Sequence, residues 1–254
     1  MPSASRKPNL PSNGGIRLNK FLASCGAGSR RACDRLIAEQ RVSIDGQTVT
    51  SAGVTVFPSR QSVTLDGLPI RPESTRVLMV HKPRNVICTV SDPEGRKTIM
   101  DLLPTEWRDL RLYPVGRLDR NSEGLILVTN DGELANRMTH PRYELEKEYL
   151  VWLREELTER QGEAMLDGVR ADGERLSALA VTPIPSKGRY VCYLLILGEG
   201  RNRHIRRMCE AVDAEVVRIK RIRMAGLDVQ DLPPGEIREL AGRELADVRK
   251  AVGL

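Results

Sequence analysis

The chain has 254 residues, of which 40% are hydrophobic and 29% charged, so it can bury a sizeable core as one large domain or two smaller ones. Its 40 Lys and Arg against 34 Asp and Glu give a net charge of +6, which favours RNA, DNA or an anionic membrane as partner. Residues 1–70 and 201–223 each carry a net +5, so the positive charge forms two patches. No segment is apolar enough for a signal peptide or a membrane span, which predicts a cytoplasmic protein without a membrane partner.

The cysteines and histidines argue against a metal site. The cysteines are odd in number and lack C-x-x-C spacing, and the three histidines lie far apart in the sequence. We expect reduced, mostly buried thiols and no bound zinc. The cysteines are Cys25, Cys33, Cys88, Cys192 and Cys209.

Composition divides the chain into five segments. Residues 1–15 are rich in Pro, Ser, Gly and Asn, which predicts a disordered basic arm. Residues 16–70 predict a small α+β domain, and the polar, proline-containing segment 71–76 predicts a linker. A larger domain is expected over 77–245, followed by a C-terminal tail, 246–254.

Two short helices and two hairpins are predicted in the first domain. Leu18 begins an apolar stripe at helical spacing, and Ser29 is placed to cap a second helix. The Asp-Gly pairs at Asp45 and Asp66 favour tight hairpins between short strands. The second helix also carries an uncompensated cationic face, which is typical of a surface that meets an anion: Arg30, Arg31 and Arg35.

The larger domain alternates irregularly between strands and helices. Apolar runs predict strands, including a fully buried one over 189–197, and periodic runs predict helices. This irregular order favours a mixed or antiparallel sheet with packed helices over a doubly wound parallel sheet. The predicted strands are 77–83, 125–129, 146–153 and 189–197, and the predicted helices 133–140, 156–167 and 203–212.

The stretch GRLDRNSEGLIL (116–127) places Asp119 between two arginines and ahead of an apolar strand. Asp, Asn and Ser hydrogen-bond their local backbone, so this stretch alone is typical of a turn.

Other features favour a reactive carboxylate. The helix in GEGRNRHIRRMCE (198–210) offers Arg206 or Arg207 as a guanidinium to hold the carboxylate. Tyr149 on its strand is free to stack on a base, and H-K-P at 81–83 is expected to shape the same pocket.

The first domain resembles the αL RNA-binding domain shared with small-subunit ribosomal protein four. The matching pieces are R-L-N-K-F-L-A, S-R-R-A and V-S-I-D-G-Q, in that order. The resemblance implies that Arg17, Lys20, Arg30 and Arg31 contact RNA backbone, in agreement with the uncompensated cationic face. With only nine aromatic residues of Phe, Tyr and Trp, recognition by backbone and shape is favoured over base stacking on a broad platform.

The whole pattern from residue 16 to 245 resembles the ribosomal RNA pseudouridine synthases of the group named for the small-subunit enzyme RsuA. The motifs on which this resemblance rests are H-K-P, G-R-L-D-x-x-S-x-G-L, K-E-Y and G-R-N-R-x-I-R-R, in this order. The resemblance implies an α+β catalytic domain with a mixed, mainly antiparallel sheet. It also implies that Asp119 is the catalytic aspartate, Tyr149 the base-stacking residue and Arg206 the partner of the aspartate.

The implied reaction isomerises uridine to pseudouridine in ribosomal RNA, with the base flipped out of its helix and without cofactor or metal. Large-subunit RNA, free or in a precursor particle, is the expected substrate, and a monomer the expected state. Two roles for the aspartate stay open, attack on the sugar carbon and removal of a sugar proton. Further RNA-binding residues are expected at the cleft: Arg117, Arg201, Arg203 and Arg207.

Other functions were weighed on the same residues. A non-catalytic RNA-binding factor for ribosome assembly or stress is the main alternative. A nuclease is disfavoured because no carboxylates or histidines cluster near Asp119, and a methyltransferase because no glycine-rich strand-to-helix turn is present.

Overall fold

The computed structural model describes residues 14–229 and 231–254, so nearly all of the predicted basic arm lies outside the described residues. The chain divides into two units. The first contains the described residues up to Arg76 together with 105–112 and 130–132, and the second contains the rest. Within the described ranges, no helix is long and apolar enough to cross a bilayer.

The first unit packs two short helices against small antiparallel sheets. One sheet pairs the first and fourth strands of the chain, and the other places the third, second, fifth and sixth strands side by side in that order. Its elements in chain order are β1 (Ile16–Arg17), α1 (Leu18–Ser24), α2 (Arg30–Ala38), β2 (Val42–Ile44), β3 (Gln47–Thr48), β4 (Thr55–Val56), β5 (Val63–Leu65) and β6 (Leu68–Pro69).

The sequence signals in this unit act as predicted. The N–H of Ala32 donates to Oγ of Ser29 at 3.2 Å, which confirms the predicted cap of α2. Asp45 and Asp66 both have φ near +51° and join β2 to β3 and β5 to β6, so both Asp-Gly hairpins are confirmed. The apolar faces of the helices and strands meet in one core, which includes Leu18, Phe21, Leu22, Cys33, Ile37, Val42 and Val56.

Residues 71–76, interpreted from the sequence as a linker, are bound within the first unit. The N–H of Glu73 donates to the carbonyl of Ser24 at 2.8 Å, and its carboxylate accepts from the N–H of Arg111 at 3.2 Å. The N–H of Arg76 donates to Oδ1 of Asn130 at 2.8 Å. The polar residues that suggested a linker therefore form hydrogen bonds to other parts of the same unit.

The second unit is built on a large mixed sheet. Its elements in chain order are β7 (Val77–Lys82), β8 (Tyr113–Pro114), β9 (Glu123–Thr129), α3 (Gly132–Thr139), β10 (Lys147–Leu153), α4 (Glu159–Asp167), β11 (Val169–Ala171), β12 (Glu174–Leu176), β13 (Ala180–Ile184), β14 (Val191–Leu197), α5 (His204–Glu210), β15 (Val216–Met224), β16 (Leu227–Asp228), β17 (Ile237–Glu239) and α6 (Gly242–Ala251). Short 3-10 helices cover Ile99–Leu102, Thr105–Trp107 and Pro141–Tyr143, the second of them in the first unit.

The main path of the sheet has the order β13-β14-β10-β15-β9-β7-β17. Along this path, in the described part of the chain, neighbouring strands run antiparallel except for β9 and β15, which run parallel. The expected mixed, mainly antiparallel sheet is confirmed. A buried cluster joins β7 and β9 to α3 and α6 through residues that include Met79, Leu127, Leu134 and Val248.

Three features of this unit differ from the sequence analysis. Strand β14 is not buried on both faces, because Leu194 and Ile196 are partly exposed. The nine-residue strand β15 was not predicted, since its alternating cations obscure the apolar face. The supposed tail 246–254 begins inside α6, whose Val248 belongs to the core together with Val252.

Gly124 allows the parallel contact between β9 and β15. It pairs with Arg221 and has φ of +111°, a conformation that favours glycine. A Cβ atom at this position would lie 2.1 Å from the carbonyl oxygen of Arg221. The glycine in G-R-L-D-x-x-S-x-G-L is therefore required by the close approach of two backbones.

Changing Gly124 to Ala should lower the free energy of unfolding by about 2–5 kcal/mol, because alanine adds both a steric clash and an unfavourable φ. Urea unfolding measures this loss. The matched control is Gly162→Ala in α4, where a Cβ atom meets nothing within 4 Å. This control should stabilise the protein by about 0.5–1 kcal/mol, and equal effects of the two changes would contradict the close-approach explanation.

Candidate active site

A cavity of about 130 Å³ opens in the second unit, between β10, β15, α5 and the loop that precedes β9. Asp119, Tyr149 and Arg206, which the sequence analysis joined in one site, all line it. The cavity also contains cations that were not assigned a role from the sequence, Lys147 and Arg221.

Asp119 lies in a turn and also faces the cavity. The N–H of Ser122 donates to the carbonyl of Asp119 at 3.0 Å, which closes the turn just before β9. The Asp119 side chain stays 31% exposed and lines the cavity. The two interpretations of this residue are therefore compatible, because the turn holds the backbone and leaves the carboxylate free to act.

Arg206 is the guanidinium nearest to this carboxylate. Its Nε lies 3.7 Å from Oδ2 of Asp119, which is an ion pair rather than a close hydrogen bond. Burial lowers the pKa of Arg206, and the negative charge of Asp119 acts in the opposite direction. An arginine keeps its proton under such conditions, so the pair places a fixed positive charge beside the carboxylate.

Tyr149 forms part of the cavity wall from the middle of β10. The strand alternates, so Tyr149 is buried at 7% exposure while Glu148 and Leu150 point to the opposite face, as predicted. A register shift after Glu148 places Tyr149 opposite Arg221 on β15. Tyr149 and Arg221 are thus cross-strand neighbours, and both line the cavity.

Lys82 of the H-K-P motif is not among the residues that line the cavity, but it binds the loop that carries Asp119. It is fully buried, and its Nζ donates to the carbonyls of Pro83 at 2.9 Å, Val86 at 2.7 Å and Arg120 at 3.4 Å. The N–H of Asn85 donates to the same Arg120 carbonyl at 2.7 Å. These bonds tie the end of β7 to the residue that follows Asp119.

Two lysines of the site titrate well below their usual range. Burial lowers the pKa of Lys82 to about 8, although the nearby Cys88, Asp119 and Glu123 oppose the shift. Burial also lowers the pKa of Lys147 to about 8, and the positive charge of Arg221 adds to this effect. Both lysines therefore change charge close to neutral pH.

Arg207 does not face the site, although RNA contact was predicted for it. Its guanidinium lies 2.7 Å from carboxylate oxygens of both Asp172 and Glu174, and its side chain is only 12% exposed. It also donates to the carbonyl of Ala171 at 2.7 Å. Arg206 and Arg207 leave the helix in different directions. Arg207 therefore binds α5 to the β11–β12 hairpin instead of lining the cavity.

The other predicted cations divide into two groups. Arg117, Arg201 and Arg203 are exposed and line the cavity, although Arg201 is also paired with Glu199 at 2.8 Å. The second group lies in the first unit, where all four side chains are exposed: Arg17, Lys20, Arg30 and Arg31.

Lys147 and Arg221 are site residues without a predicted role. Lys147 stands in the K-E-Y motif, two residues from Tyr149, and this spacing on a strand was the available signal. Arg221 lies in the run R-I-K-R-I-R, where it lines the cavity together with Ile219, two residues earlier on the same face of β15. In the described ranges, no three His, Cys, Asp or Glu side chains lie close enough together to hold a metal ion, and all five thiols are free, four of them buried.

The protein resembles known proteins along nearly its whole length. The family model described as RNA pseudouridylate synthase matches residues 76–211, and the S4 domain model matches residues 16–60. Ribosomal large subunit pseudouridine synthase B of Pseudomonas aeruginosa is 41% identical, over 100% of this chain and 66% of that protein. The protein of the same name from Bacillus subtilis is 37% identical, over 92% of this chain and 95% of that one. A crystal structure of a pseudouridylate synthase has 26% identity and a TM-score of 0.63, and covers 93% of this chain and 99% of that one.

An S4 domain followed by a mixed-sheet unit that matches the RNA pseudouridylate synthase model is the domain composition of an RNA-modifying enzyme. The chain belongs to the RNA pseudouridylate synthase family, and it is an isomerase acting on RNA.

The lowered pKa of Lys82 predicts a pH-dependent stability. Between about pH 8 and about pH 10.5, the folded protein releases a proton that the unfolded chain keeps, so the free energy of unfolding should rise with pH. Lys82→Met removes this contribution, and should reduce the slope by up to about 1.4 kcal/mol per pH unit. Lys147 retains its own part of the slope.

Urea unfolding at several pH values across this range measures the slope. Lys250→Met, which changes an exposed lysine of α6, serves as the control and should leave it unaltered. Identical slopes for the wild type and Lys82→Met would show that Lys82 keeps its charge in the folded protein.

Proposed function

We propose that this enzyme converts a uridine of large-subunit ribosomal RNA to pseudouridine, with Asp119 as the catalytic group. The observation that carries the proposal is the carboxylate of Asp119, 3.7 Å from Arg206 in a cavity walled by Tyr149. The names of the Pseudomonas and Bacillus relatives support the large ribosomal subunit as the source of the substrate.

The reaction needs few chemical groups. The bond between N1 of uracil and C1′ of the ribose breaks, the base turns, and C5 of the base then bonds to C1′. Asp119 starts this sequence, either by attack on the sugar carbon or by removal of a sugar proton. Because no atom is gained or lost overall, the proposal requires no cofactor.

The neighbours of Asp119 have positioning roles in this proposal. Arg206 orients the carboxylate and keeps it ionised when the cavity closes over a base. Tyr149 offers its ring as a stacking surface for the flipped and detached uracil. Lys82 holds the loop that carries Asp119, through its bond to the carbonyl of Arg120.

The RNA is held by exposed cations in both units. Arg17, Lys20, Arg30 and Arg31 contact phosphates through the S4 domain, while Arg117, Arg201 and Arg203 contact the backbone around the flipped nucleotide. Arg207 is left out of this set because its guanidinium is taken up by two carboxylates. A protein with this substrate works in the cytoplasm, where ribosomes are assembled, and we propose that it acts as a monomer.

Asp119→Asn should abolish pseudouridine formation while RNA affinity stays within about threefold, because the amide keeps the shape but cannot act as nucleophile or base. The wild type and the variant are incubated, without cofactor or added metal, with unmodified ribosomal RNA and precursor particles. Pseudouridines are then mapped by chemical adducts and reverse-transcription stops.

Asp167→Asn, an exposed carboxylate at the end of α4, serves as the matched control and should retain full activity. A stop at one large-subunit uridine, absent only with Asp119→Asn, is the expected result. A stop in small-subunit RNA would overturn the substrate and leave the enzyme class intact. RNA binding without any stop would favour a non-catalytic binding factor.

Replacing Arg30 and Arg31 with Gln should weaken RNA binding and reduce the salt dependence of the affinity. Each lost phosphate contact lowers the slope of log K against log salt by about 0.7–0.9. Titrations over a range of salt concentrations measure this slope. The matched control, Arg170→Gln and Arg175→Gln, changes two exposed cations of the second unit outside the cavity and should leave the slope unchanged.

A further inference from the structure

Arg221 is a buried cation with unused hydrogen-bonding capacity. The residue is only 3% exposed, and its Nε donates to the carbonyl of Leu125 at 2.7 Å. Its Nη2 is buried without a hydrogen-bond partner in the described part of the chain. An unpaired charged donor is costly to bury, so a partner supplied from outside the protein would offset this cost.

In the described part of the chain, the charge of Arg221 is also not balanced by a carboxylate. No ion pair of Arg221 occurs within residues 14–229 and 231–254. Asp119, which lines the same cavity, is paired with Arg206. The neighbouring cations of β15 differ, since Arg218 binds Glu123 and Arg223 binds Asp228.

The strand geometry directs Arg221 into the cavity. Lys220 and Arg218 are opposite Leu150 and Trp152 on one face of the sheet, whereas Arg221 is opposite Tyr149 on the other. Both Arg221 and Tyr149 line the cavity. A base stacked on the ring of Tyr149 would therefore occupy the cavity that Arg221 also lines.

We propose that Arg221 is a further catalytic residue, which donates from Nη2 to a carbonyl oxygen of the uracil. This inference rests on the proposed function. When the C1′–N1 bond breaks, its electron pair leaves with the base, and the negative charge spreads over N1, C5 and both carbonyl oxygens, while N3 keeps its proton. The guanidinium stabilises that charge until the pair forms the new C5–C1′ bond. C5 then gives up a proton and N1 gains one, so the isomerisation balances.

A test based on the leaving group separates this role from a structural one. Fluorine at C5 withdraws electron density and stabilises the detached base as an anion. The rate at which 5-fluorouridine in RNA is converted should therefore depend less on Arg221 than the rate for uridine. The wild type, Arg221→Met and Arg221→Lys are each incubated with both RNAs under single-turnover conditions. Nuclease digestion and mass spectrometry then measure the rate at which uridine or 5-fluorouridine is consumed.

Arg221→Met should slow uridine conversion by about 100-fold or more, with RNA affinity within about threefold of the wild type. Arg221→Lys, which keeps the charge, should recover part of the rate. In both variants the loss should be clearly smaller with 5-fluorouridine. Lys220→Met, on the opposite face of the same strand, should behave as the wild type with both RNAs.

Equal losses for both variants on both substrates would overturn the proposal and leave Arg221 a structural residue. Should Arg221→Met fail to fold, the substrate dependence of Arg221→Lys decides the question. A wild type that converts no uridine in any RNA would refute the proposed function itself, and the inference about Arg221 would fall with it.

Discussion

The close approach of β9 and β15 at Gly124 is the constraint on which the site depends. Strand β9 begins immediately after the turn of Asp119, and β15 carries Arg221, so one backbone contact sets the distance between the two sides of the cavity. Lys82 holds the same loop by hydrogen bonds from its Nζ to backbone carbonyls. The carboxylate is therefore positioned by main-chain contacts on either side of it, which is the kind of support that a preorganised site requires.

The electrostatic character of the cavity follows from burial of several cations around one carboxylate. Asp119 shares the cavity with Arg206, Arg221 and Lys147, so the local balance is positive and favours a substrate that carries or develops negative charge. Such a cluster is costly to bury in the absence of substrate, and the lowered pKa of Lys147 is one expression of that cost. The apolar cluster that joins β7 and β9 to α3 and α6 lies in the same unit and stabilises it by burial of apolar surface.

Much of the fold could be predicted because local signals agree with it. Ser29 caps α2, the Asp-Gly pairs make hairpins, and β7, β9 and β10 lie where apolar runs predict strands. The misses have physical causes. Strand β15 mixes Arg and Lys with aliphatic residues, and the apolar face of α6 and its C-cap consists of a few residues, Leu245, Val248 and Val252, among charged ones. At the site, Asp119, Tyr149 and Arg206 came together as expected, but the direction of Arg207 depends on its tertiary ion pairs and that of Arg221 on the register of β15 against β10.

The two adjacent arginines of α5 belong to separate electrostatic groups, one with Asp119 and the other with Asp172 and Glu174. Substitutions within either group are expected to be non-additive, since each change leaves a charged partner behind. Substitutions in different groups are expected to have nearly additive effects on stability. Among homologues, position 207 should therefore covary with positions 172 and 174, whereas position 206 is constrained by its ion pair with the proposed catalytic Asp119, so that neighbours in the sequence evolve under independent constraints.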